Sequence, residues 1–318
     1  MRYFFIIFLV VNASMFGQAS GCTDSLASNY DASVKENDGS CVYAEIIAKS
    51  ETSVALPKSV NETSGLIAFN GHLLTHNDGN DSNLYELDTL TGAISHTYTL
   101  NGFKNVDWED ITQDDNYIYL GDFGNNYTGI RQDLKILKIS KASLLKDAAE
   151  VQVINFKYQD QEAFAKAAPN TTDFDCEAFV VKDEKIYLFT KQWTKTGTAV
   201  YELPNSPGSY TAALKSTFPI NGLVTGATYV KAKNTVLFCG YSKSLEPFIY
   251  ICSQFKNNDF FSGNKRKIML ALPFHQVEGI TSPDGKRIYV SNESLVKKPF
   301  ANIPAQMHIF DLKKWINN

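Results

Sequence analysis

Short runs of mostly apolar residues recur along most of this chain, separated by polar turns that often contain glycine. From residue 64 onward the same order returns five times: a small or acidic residue, an apolar strand, a turn, a second strand, a polar loop and a third strand. The copies begin at Ser64, Glu109, Glu177, Thr225 and Glu278. Aromatic and β-branched residues dominate the runs, which favours strands over helices. The chain is therefore predicted to be all-β.

The spacing of the copies predicts how the strands are arranged. The starts lie about fifty residues apart, which suits one four-stranded blade per copy. A fourth strand-like run follows each of the first four copies, whereas the last copy has none downstream. The run AEIIAKSETSVALP, which precedes the first copy, can supply it. We predict a five-bladed β-propeller closed by this N-terminal strand and spanning residues 44–318, because closure removes exposed sheet edges.

A six-bladed propeller is the alternative. The interval between the second and third copies is longer than the others, so it could hold a degenerate blade. We interpret its excess as an inserted loop, QDQEAFAKAAPNTTDFD, at residues 159–175.

The first residues have the pattern of an export signal. Arg2 precedes the apolar run FFIIFLVV, and small residues offer a cleavage point after Ala19. The run is too short for a stable membrane anchor, and no second long apolar run follows. We predict a signal peptide at residues 1–19, no transmembrane segment after its removal, and a protein secreted or held in the cell envelope. The sequence around Cys22 loosely resembles a bacterial lipoprotein box that lacks its usual leucine, so lipid anchoring there is the alternative.

An acidic segment bracketed by two cysteines occupies residues 20–43. It has almost no apolar residues and cannot bury a core, so a crosslink or a metal must hold it. We expect Cys22 and Cys41 to pair, in keeping with an oxidising compartment. Cys239 and Cys252 are expected roughly opposite each other across a hairpin, either as a disulfide or as two buried thiols. Cys176 is expected to be a buried hydrophobe.

This segment closely resembles a short Cys-Thr-Asp…Asp-Gly-Ser-Cys repeat of secreted bacterial proteins, which is itself similar to the calcium-binding repeats of thrombospondin type 3. The residues that match are Cys22, Thr23, Asp24, Asn29, Tyr30, Asp38, Gly39, Ser40 and Cys41. The resemblance implies an extracellular spacer, with Asp24, Asp31 and Asp38 as candidate calcium ligands, since hard oxygen ligands suit calcium. A disulfide-closed linker without a tightly bound metal is the alternative.

Polar residues at two positions of each blade are expected to converge on one face. The inner strand of a propeller blade starts at the axis on that face, and the loop after the second strand opens on the same face. The ends of the second strands also carry Asp78 and Lys191. Trp108 is more readily a wedge between blades than a surface for a flat ligand. The ligand-binding candidates are His76, Asp107, Trp108, Glu109, Asp110, Asp122, Asp175, Glu177, Trp193, Glu278 and Glu293.

Carboxylates gathered around one axis repel one another, so they require a cation, a shared proton or hydrogen-bond donors. The candidate ligands for a calcium-like ion are Glu109, Glu177, Glu278, Asp122 and Asn125. The alternative is that these residues only bond the backbone of the next blade and fix its angle. Ser64 and Thr225 replace the glutamate in two copies. The ring of glutamates is therefore incomplete, which slightly favours a specialised site over a purely structural role.

Four short motifs resemble a family of uncharacterised secreted bacterial propellers. They are Trp108-Glu109-Asp110-Ile111, Gly121-Asp122-Phe123-Gly124-Asn125, Glu177-Ala178 and Glu278-Gly279-Ile280. The resemblance implies the fold and brings no established activity. Phe123 and Asn125 stand where isoleucine and aspartate are usual in that family. More distantly, the Glu-Gly-Ile start is similar to that of phytase-like esterases and lactonase-type propellers, which use axial calcium.

Charge and the lack of catalytic motifs narrow the predicted function. The 34 acidic and 30 basic residues, without a basic stripe, give no reason to expect nucleic acid. The sequence contains no nucleophile elbow, phosphate loop, His-Glu-x-x-His or Cys-x-x-Cys motif. We predict an exported propeller that binds a small-molecule, glycan or protein ligand on its acidic axial face without catalysis. The alternative is a calcium-dependent hydrolase of phosphoesters or lactones, with His76 or an unpaired glutamate as base.

Overall fold

The computed structural model describes residues 19–166, 168–299 and 301–316. Nearly all of the predicted signal peptide, residues 1–18, lies outside them. The predicted all-β class is confirmed, because the helical elements of the described residues are short. No helix among these residues is long and apolar enough to cross a membrane. The helical elements are α1 (Lys141–Leu144) and the 3-10 turns Lys58–Val60, Lys231–Lys233 and Leu312–Lys314.

Four short strands precede the repeats. Strands β1 (Ser20–Gly21) and β2 (Glu36–Asn37) pair in parallel inside the segment that the cysteines bracket. Strands β3 (Ile47–Ala48) and β4 (Thr52–Ala55) instead join sheets formed by the last two copies.

The first three copies each form a four-stranded antiparallel sheet, called units 1 to 3 here. The outer strands of units 2 and 3 also pair with each other in parallel, which merges the two sheets at their edges. Unit 1 consists of β5 (Thr63–Phe69), β6 (His72–Asn77), β7 (Asn83–Leu87) and β8 (Ile94–Thr99). Unit 2 consists of β9 (Trp108–Gln113), β10 (Tyr117–Asp122), β11 (Lys135–Ser140) and β12 (Val151–Tyr158). Unit 3 consists of β13 (Cys176–Lys182), β14 (Lys185–Thr190), β15 (Thr198–Pro204) and β16 (Gly208–Phe218).

The last two copies form units 4 and 5, which take strands from the N-terminal region. Strand β4 pairs antiparallel with β25, so the prediction that an N-terminal strand completes the last sheet is confirmed. Strand β3 adds to unit 4 in parallel with β20. Unit 4 consists of β17 (Leu223–Val230), β18 (Thr235–Tyr241), β19 (Pro247–Ser253) and β20 (Asn264–Leu270). Unit 5 consists of β21 (Val277–Thr281), β22 (Arg287–Asn292), an inserted hairpin of β23 (Leu295–Lys297) and β24 (Ala301–Ile303), then β25 (Gln306–Asp311).

The first strands of the units contact one another in a closed order. Strand β5 contacts β9, β9 contacts β13, β13 contacts β17, β17 contacts β21, and β21 contacts β5. Apolar side chains fill the space between each pair of adjacent units, as where Phe189 of unit 3 meets Phe238 of unit 4 with ring centroids 4.7 Å apart. First strands are buried almost throughout, whereas the outer strand β8 alternates between exposed residues and residues that are half-buried or, at Tyr98, buried. The fold is therefore propeller-like.

The cysteines confirm one expectation and correct another. Cys22 and Cys41 form a disulfide. A lipid on Cys22 would need the same sulfur, so the lipid anchor and this disulfide exclude each other. Cys239 and Cys252 are not opposite each other, because Cys239 pairs with Ile249 and Cys252 pairs with Val236. They are free thiols buried in the cores on opposite faces of unit 4, and Cys176 is also a buried thiol.

Candidate functional site

The repeated residue at the start of each copy lies in a β-bulge. In units 2 to 5 the pairing of the first two strands skips one residue, and the skipped residues are Glu109, Glu177, Thr225 and Glu278. Unit 1 has a similar irregularity between Ser64 and Ile67. A bulge redirects a side chain and interrupts the ladder, which is a common way to aim residues at a site. The repeat in the sequence therefore marks the residues that the fold directs toward the axis.

A cavity of about 150 Å³ lies on this face. Its carboxylates come from bulges and from positions just after second strands, and they surround one lysine. Two asparagines reach it from loops, and Asn170 of the inserted loop donates its backbone N–H to Asn126 O at 2.9 Å. The inserted loop therefore forms part of the rim. The wall consists of Ser64, Asp78, Glu109, Asn126, Asn170, Glu177, Lys191, Trp193, Tyr241, Gln276, Glu278 and Glu293.

Lys191 is the cation of this cavity, and its ammonium group is already bound. Its Nζ lies 3.0 Å from Glu177 Oε2 and donates to the Tyr241 hydroxyl at 3.2 Å. The same Nζ lies 4.7 Å from the centre of the Trp193 ring. Burial disfavours the charged form of Lys191, but Glu177 and the other anionic groups outweigh it and hold its pKa above the usual range. Lys191 thus neutralises one carboxylate and leaves the other carboxyls of the wall without a cation of their own.

Two groups of carboxylates share Glu109. One oxygen each from Asp78, Asp107 and Glu109 lie within 4.8 Å of one another, and the same holds for Glu109, Asp175 and Glu177. In the second group, Asp175 and Glu177 already have protein groups bound to their carboxylates. Asp175 accepts from Trp193 Nε1 at 2.7 Å and from the Asn125 backbone N–H at 2.8 Å, and Glu177 contacts Lys191.

Burial and mutual repulsion favour the protonated forms of these carboxyls when no cation is bound. Burial, and then the charges of Glu177 and Asp78, hold the pKa of Glu109 well above its usual range. Burial raises the pKa of Asp78 and of Glu278 to about 8, although Lys191 opposes the shift in both. The pKa of Glu293 is raised to about 7 by burial as well. The charged forms of these carboxyls are therefore unfavourable in the cavity.

Six predicted ligand-binding residues lie outside the cavity wall, and three of them make contacts in the core. His76 is fully buried, its ring packs edge-on against Trp108, and burial lowers its pKa to about 4. Trp108 is itself fully buried in the core between units 1 and 2, as expected for a wedge. Asp110 accepts backbone N–H groups from Ile111, Phe179 and Ala227 at 2.8, 3.1 and 3.3 Å. Asp110 thus ties three units together, and His76 is corrected from a mouth residue to a core residue.

Asp122 and Asn125, which were predicted as metal ligands, are engaged elsewhere. Asp122 is fully buried between two cations, with Arg131 Nη2 at 2.8 Å and Lys135 Nζ at 3.0 Å. The Asn125 side chain accepts from the Arg131 backbone N–H at 2.9 Å and donates to Phe174 O at 3.3 Å. Asp107 and Asp175 each lie in a carboxylate group with Glu109. The cavity wall contains Glu109, Glu177, Trp193, Glu278 and Glu293.

Sequence reasoning missed several wall residues. Tyr241 ends the second strand of unit 4 and pairs with Leu223, as Asp122 pairs with Trp108 in unit 2, so alignment of the copies could have found it. Its hydroxyl donates to Glu278 Oε1 at 3.2 Å. Asn170 and Gln276 come from loops that lack a repeating pattern, and no sequence signal marks them.

The three aspartates proposed as calcium ligands in the N-terminal segment do not form a carboxylate group of the kind found at the axis, among the residues described. Asp24 accepts from the Tyr43 hydroxyl at 2.6 Å, Asp31 from the Ser33 backbone N–H at 2.8 Å, and Asp38 from the Ser40 backbone N–H at 3.0 Å. Each aspartate thus stabilises its own stretch of chain.

Comparison with known proteins gives distant structural likenesses. No protein-family model matches the chain, and no curated protein matches it significantly. The crystal structure of RRP9 WD40 repeats has a TM-score of 0.44 at 9% identity, covering 84% of this chain and 100% of that one. The structure of U3-55K has the same TM-score at 8% identity, covering 81% and 98%. Hydrazine synthase of Kuenenia stuttgartiensis has a TM-score of 0.38 at 10% identity. That match covers 81% of this chain, which spans 65% of the length of that chain. Likenesses this remote carry no argument about ligand or activity.

Proposed function

We propose that this chain is an exported five-bladed β-propeller that binds a ligand or partner at its acidic axial face without covalent chemistry. The five four-stranded units and the closed order of contacts among their first strands support the blade number. The Cys22–Cys41 disulfide favours an oxidising compartment and hence export.

The charge imbalance of the cavity is the observation that carries this proposal. Its wall contains the carboxyls of Asp78, Glu109, Glu177, Glu278 and Glu293, against the single ammonium of Lys191. Such a cavity attracts a positively charged group. Its volume of about 150 Å³ corresponds to about five water molecules. Only a small cationic group fits, such as the ammonium or guanidinium end of a small molecule, an aminated glycan or a protein side chain.

The hydroxyl groups of the wall support binding over catalysis. The Ser64 hydroxyl donates to the backbone oxygen of Glu109, and the Tyr241 hydroxyl donates to Glu278. His76, one of the two predicted alternatives for the base, is buried outside the wall. An activated nucleophile needs a base within hydrogen-bond reach, and neither hydroxyl has a histidine beside it in the described wall. Tyr241 does have the carboxyl of Glu278 beside it, but burial raises the pKa of that carboxyl to about 8 and favours its protonated form.

A thermal-shift screen of the purified protein in chelator tests this function. Alkylammonium and guanidinium compounds should raise the melting temperature, and uncharged sugars of similar size should not. Glu293→Gln should weaken that effect, because it removes a carboxylate from the rim. The control is Glu51→Gln, an exposed carboxylate paired with Lys314 and outside the wall. Equal stabilisation of both variants by the amines would contradict the proposal.

A calcium-dependent hydrolase of phosphoesters or lactones is the second candidate. The two carboxylate groups that share Glu109 favour it, since an ion there could polarise a substrate oxygen. Turnover of such substrates that needs calcium and stops in chelator would support the hydrolase over the binding protein.

A further inference from the structure

We propose that the axial cavity takes one divalent cation of the calcium class off the axis, between units 1 and 2, on the carboxylates of Asp78, Asp107 and Glu109. The proposal deepens the proposed function, since it rests on the same cavity. It differs from the ring of glutamates expected from the sequence, because two of its ligands come from outside the repeated position.

The spacing of the three carboxylates fits one ion. One oxygen from each lies within 4.8 Å of the other two. Calcium binds oxygen at about 2.4 Å, so oxygens with this spacing can share one ion. Carboxylate oxygens are hard ligands, which favours calcium over softer transition metals.

The availability of oxygen atoms separates this group from its neighbour. Both oxygens of Asp175 already accept hydrogen bonds, and Glu177 holds the Lys191 ammonium group. Among the residues described, no protein N–H or O–H group donates to the carboxylate of Asp78 or Glu109. The cation nearest Asp107 is Arg131, 4.0 Å away, which is beyond hydrogen-bond distance. Apart from a hydrogen bond between the carboxyls of Asp78 and Asp107, whose proton an incoming ion would replace, the oxygens of the first group are open. In the second group the ion competes with protein donors.

Burial of a carboxylate without donors is the second, independent observation. Glu109 is only 5% exposed, and it faces the cavity without a donor. Glu278, 7% exposed in the same wall, has an oxygen, Oε2, that is buried with no hydrogen-bond partner. A buried polar group without a partner is costly, so a native structure that keeps it usually supplies a ligand or a proton.

A close approach of the backbone holds two of the carboxylates in place. A Cβ atom added to Gly124 would overlap Glu109 Oε1 and Asp107 Oδ2. The glycine of the Gly121-Asp122-Phe123-Gly124-Asn125 motif therefore lets the loop after β10 close over both carboxylates. This motif acts by bringing backbone near the ion, whereas its Asp122 and Asn125 side chains are bound elsewhere.

Isothermal titration of the chelator-stripped protein with calcium chloride tests the site. We expect one ion per chain. Asp78→Asn should lower the affinity by at least about tenfold, since losing even an outer partner of a metal ligand costs about that much. The control is Glu51→Gln, which changes an exposed carboxylate paired with Lys314, outside the wall and outside both groups, and should keep the affinity. Circular dichroism verifies folding, and Asp107→Asn replaces Asp78→Asn if that variant is unfolded.

Three outcomes would overturn the proposal. Unchanged calcium binding in Asp78→Asn would rule out these ligands. Loss of binding in Glu177→Gln alone would place the ion in unit 3. No calcium binding by the parent protein would mean that the carboxyls share protons instead. Amine binding is measured separately in chelator and depends on Glu293, so a failure of the calcium site leaves the ligand-binding function standing, and the reverse also holds.

Discussion

The N-terminal segment and the axial cavity are both acidic, but their carboxylates lie in opposite environments. Asp31 and Asp38 are exposed, and each accepts hydrogen bonds from a serine two residues further along the chain, which lowers its pKa. Glu109 and Glu278 are buried, and burial raises the pKa of both. Carboxylates satisfied by their own turns gain little from an ion, whereas buried carboxylates without donors need a proton or a cation.

The N-terminal segment is held by covalent and polar contacts. The Cys22–Cys41 disulfide closes it, and several side chains attach it to unit 4. Asn37 Nδ2 donates to Asn264 Oδ1 at 2.7 Å, Lys256 Nζ lies 2.7 Å from Glu36, and Lys265 Nζ donates to Gly39 O at 3.2 Å. The contrast teaches that the density of acidic residues in a sequence does not show whether the chain's own donors satisfy their carboxylates.

The largest effect should come from removing the buried cation of the cavity. We expect Lys191→Met to lower the free energy of unfolding by about 3 kcal/mol near neutral pH, because Glu177 would stay buried without its partner. Denaturant unfolding in chelator measures this change. The control is Lys195→Met, which removes an exposed partner of Asp173 and should cost less than about 1 kcal/mol. Equal losses of unfolding free energy in the two variants would show that the buried ion pair of Lys191 and Glu177 matters no more than an exposed one.

A smaller effect should appear in the pH dependence of stability without a divalent cation. The folded-state pKa of Glu278 is about 8 and that of Glu293 about 7, and both lie above the usual 4.5. Between the usual pKa and these raised values, the folded state therefore binds more protons than the unfolded state. Stability should therefore fall as the pH rises from about 6.5 to about 8, and calcium should restore part of it.

The buried histidines act in a different pH window. The pKa of His76 is lowered to about 4 and that of His308 to about 3, so their contribution to stability is lost only as the pH falls below about 6.5. Thermal melts in chelator at about pH 6.5 and about pH 8 lie above the window of the histidines, so they report on the carboxyls. A melting temperature that rises over this interval would contradict the assignment.

The smallest effect should come from the N-terminal segment. Asp38→Asn keeps an oxygen that can accept from the Ser40 backbone N–H. We expect no change in melting temperature beyond experimental error and no change in the number of calcium ions bound. Loss of a bound calcium ion in this variant would support the calcium site that the resemblance to thrombospondin type 3 repeats implies.

Much of the fold could be predicted because it repeats. The apolar periodicity located the strands, and the missing last strand pointed to the run that contains β4. Cys239 and Cys252 were expected roughly opposite each other, and that placement was wrong because counting inward along two strands does not fix the register. Each cysteine pairs with a different residue and faces a different core, so the alternative of two buried thiols holds.

The site was predicted only in part. Glu177 and Glu278 were found because they occupy the repeated position, where a bulge directs them to the cavity. Asp122 was misassigned because its sequence neighbours do not reveal that Arg131 and Lys135 enclose it. His76 was expected at the mouth, but its ring faces Trp108 in the core.

The sequence by itself determined the strand-rich class, the five copies, the cystine-bracketed segment and the acidic character of one face, because each is carried by residue type and spacing. Only the tertiary structure decided which carboxylates have donors. Asp110, Asp175 and Asp122 are satisfied by groups 69, 18 and 9 residues away along the chain, whereas Glu109 is left open. Hydrogen-bond partners of buried groups depend on how distant segments pack, and no local pattern encodes that packing.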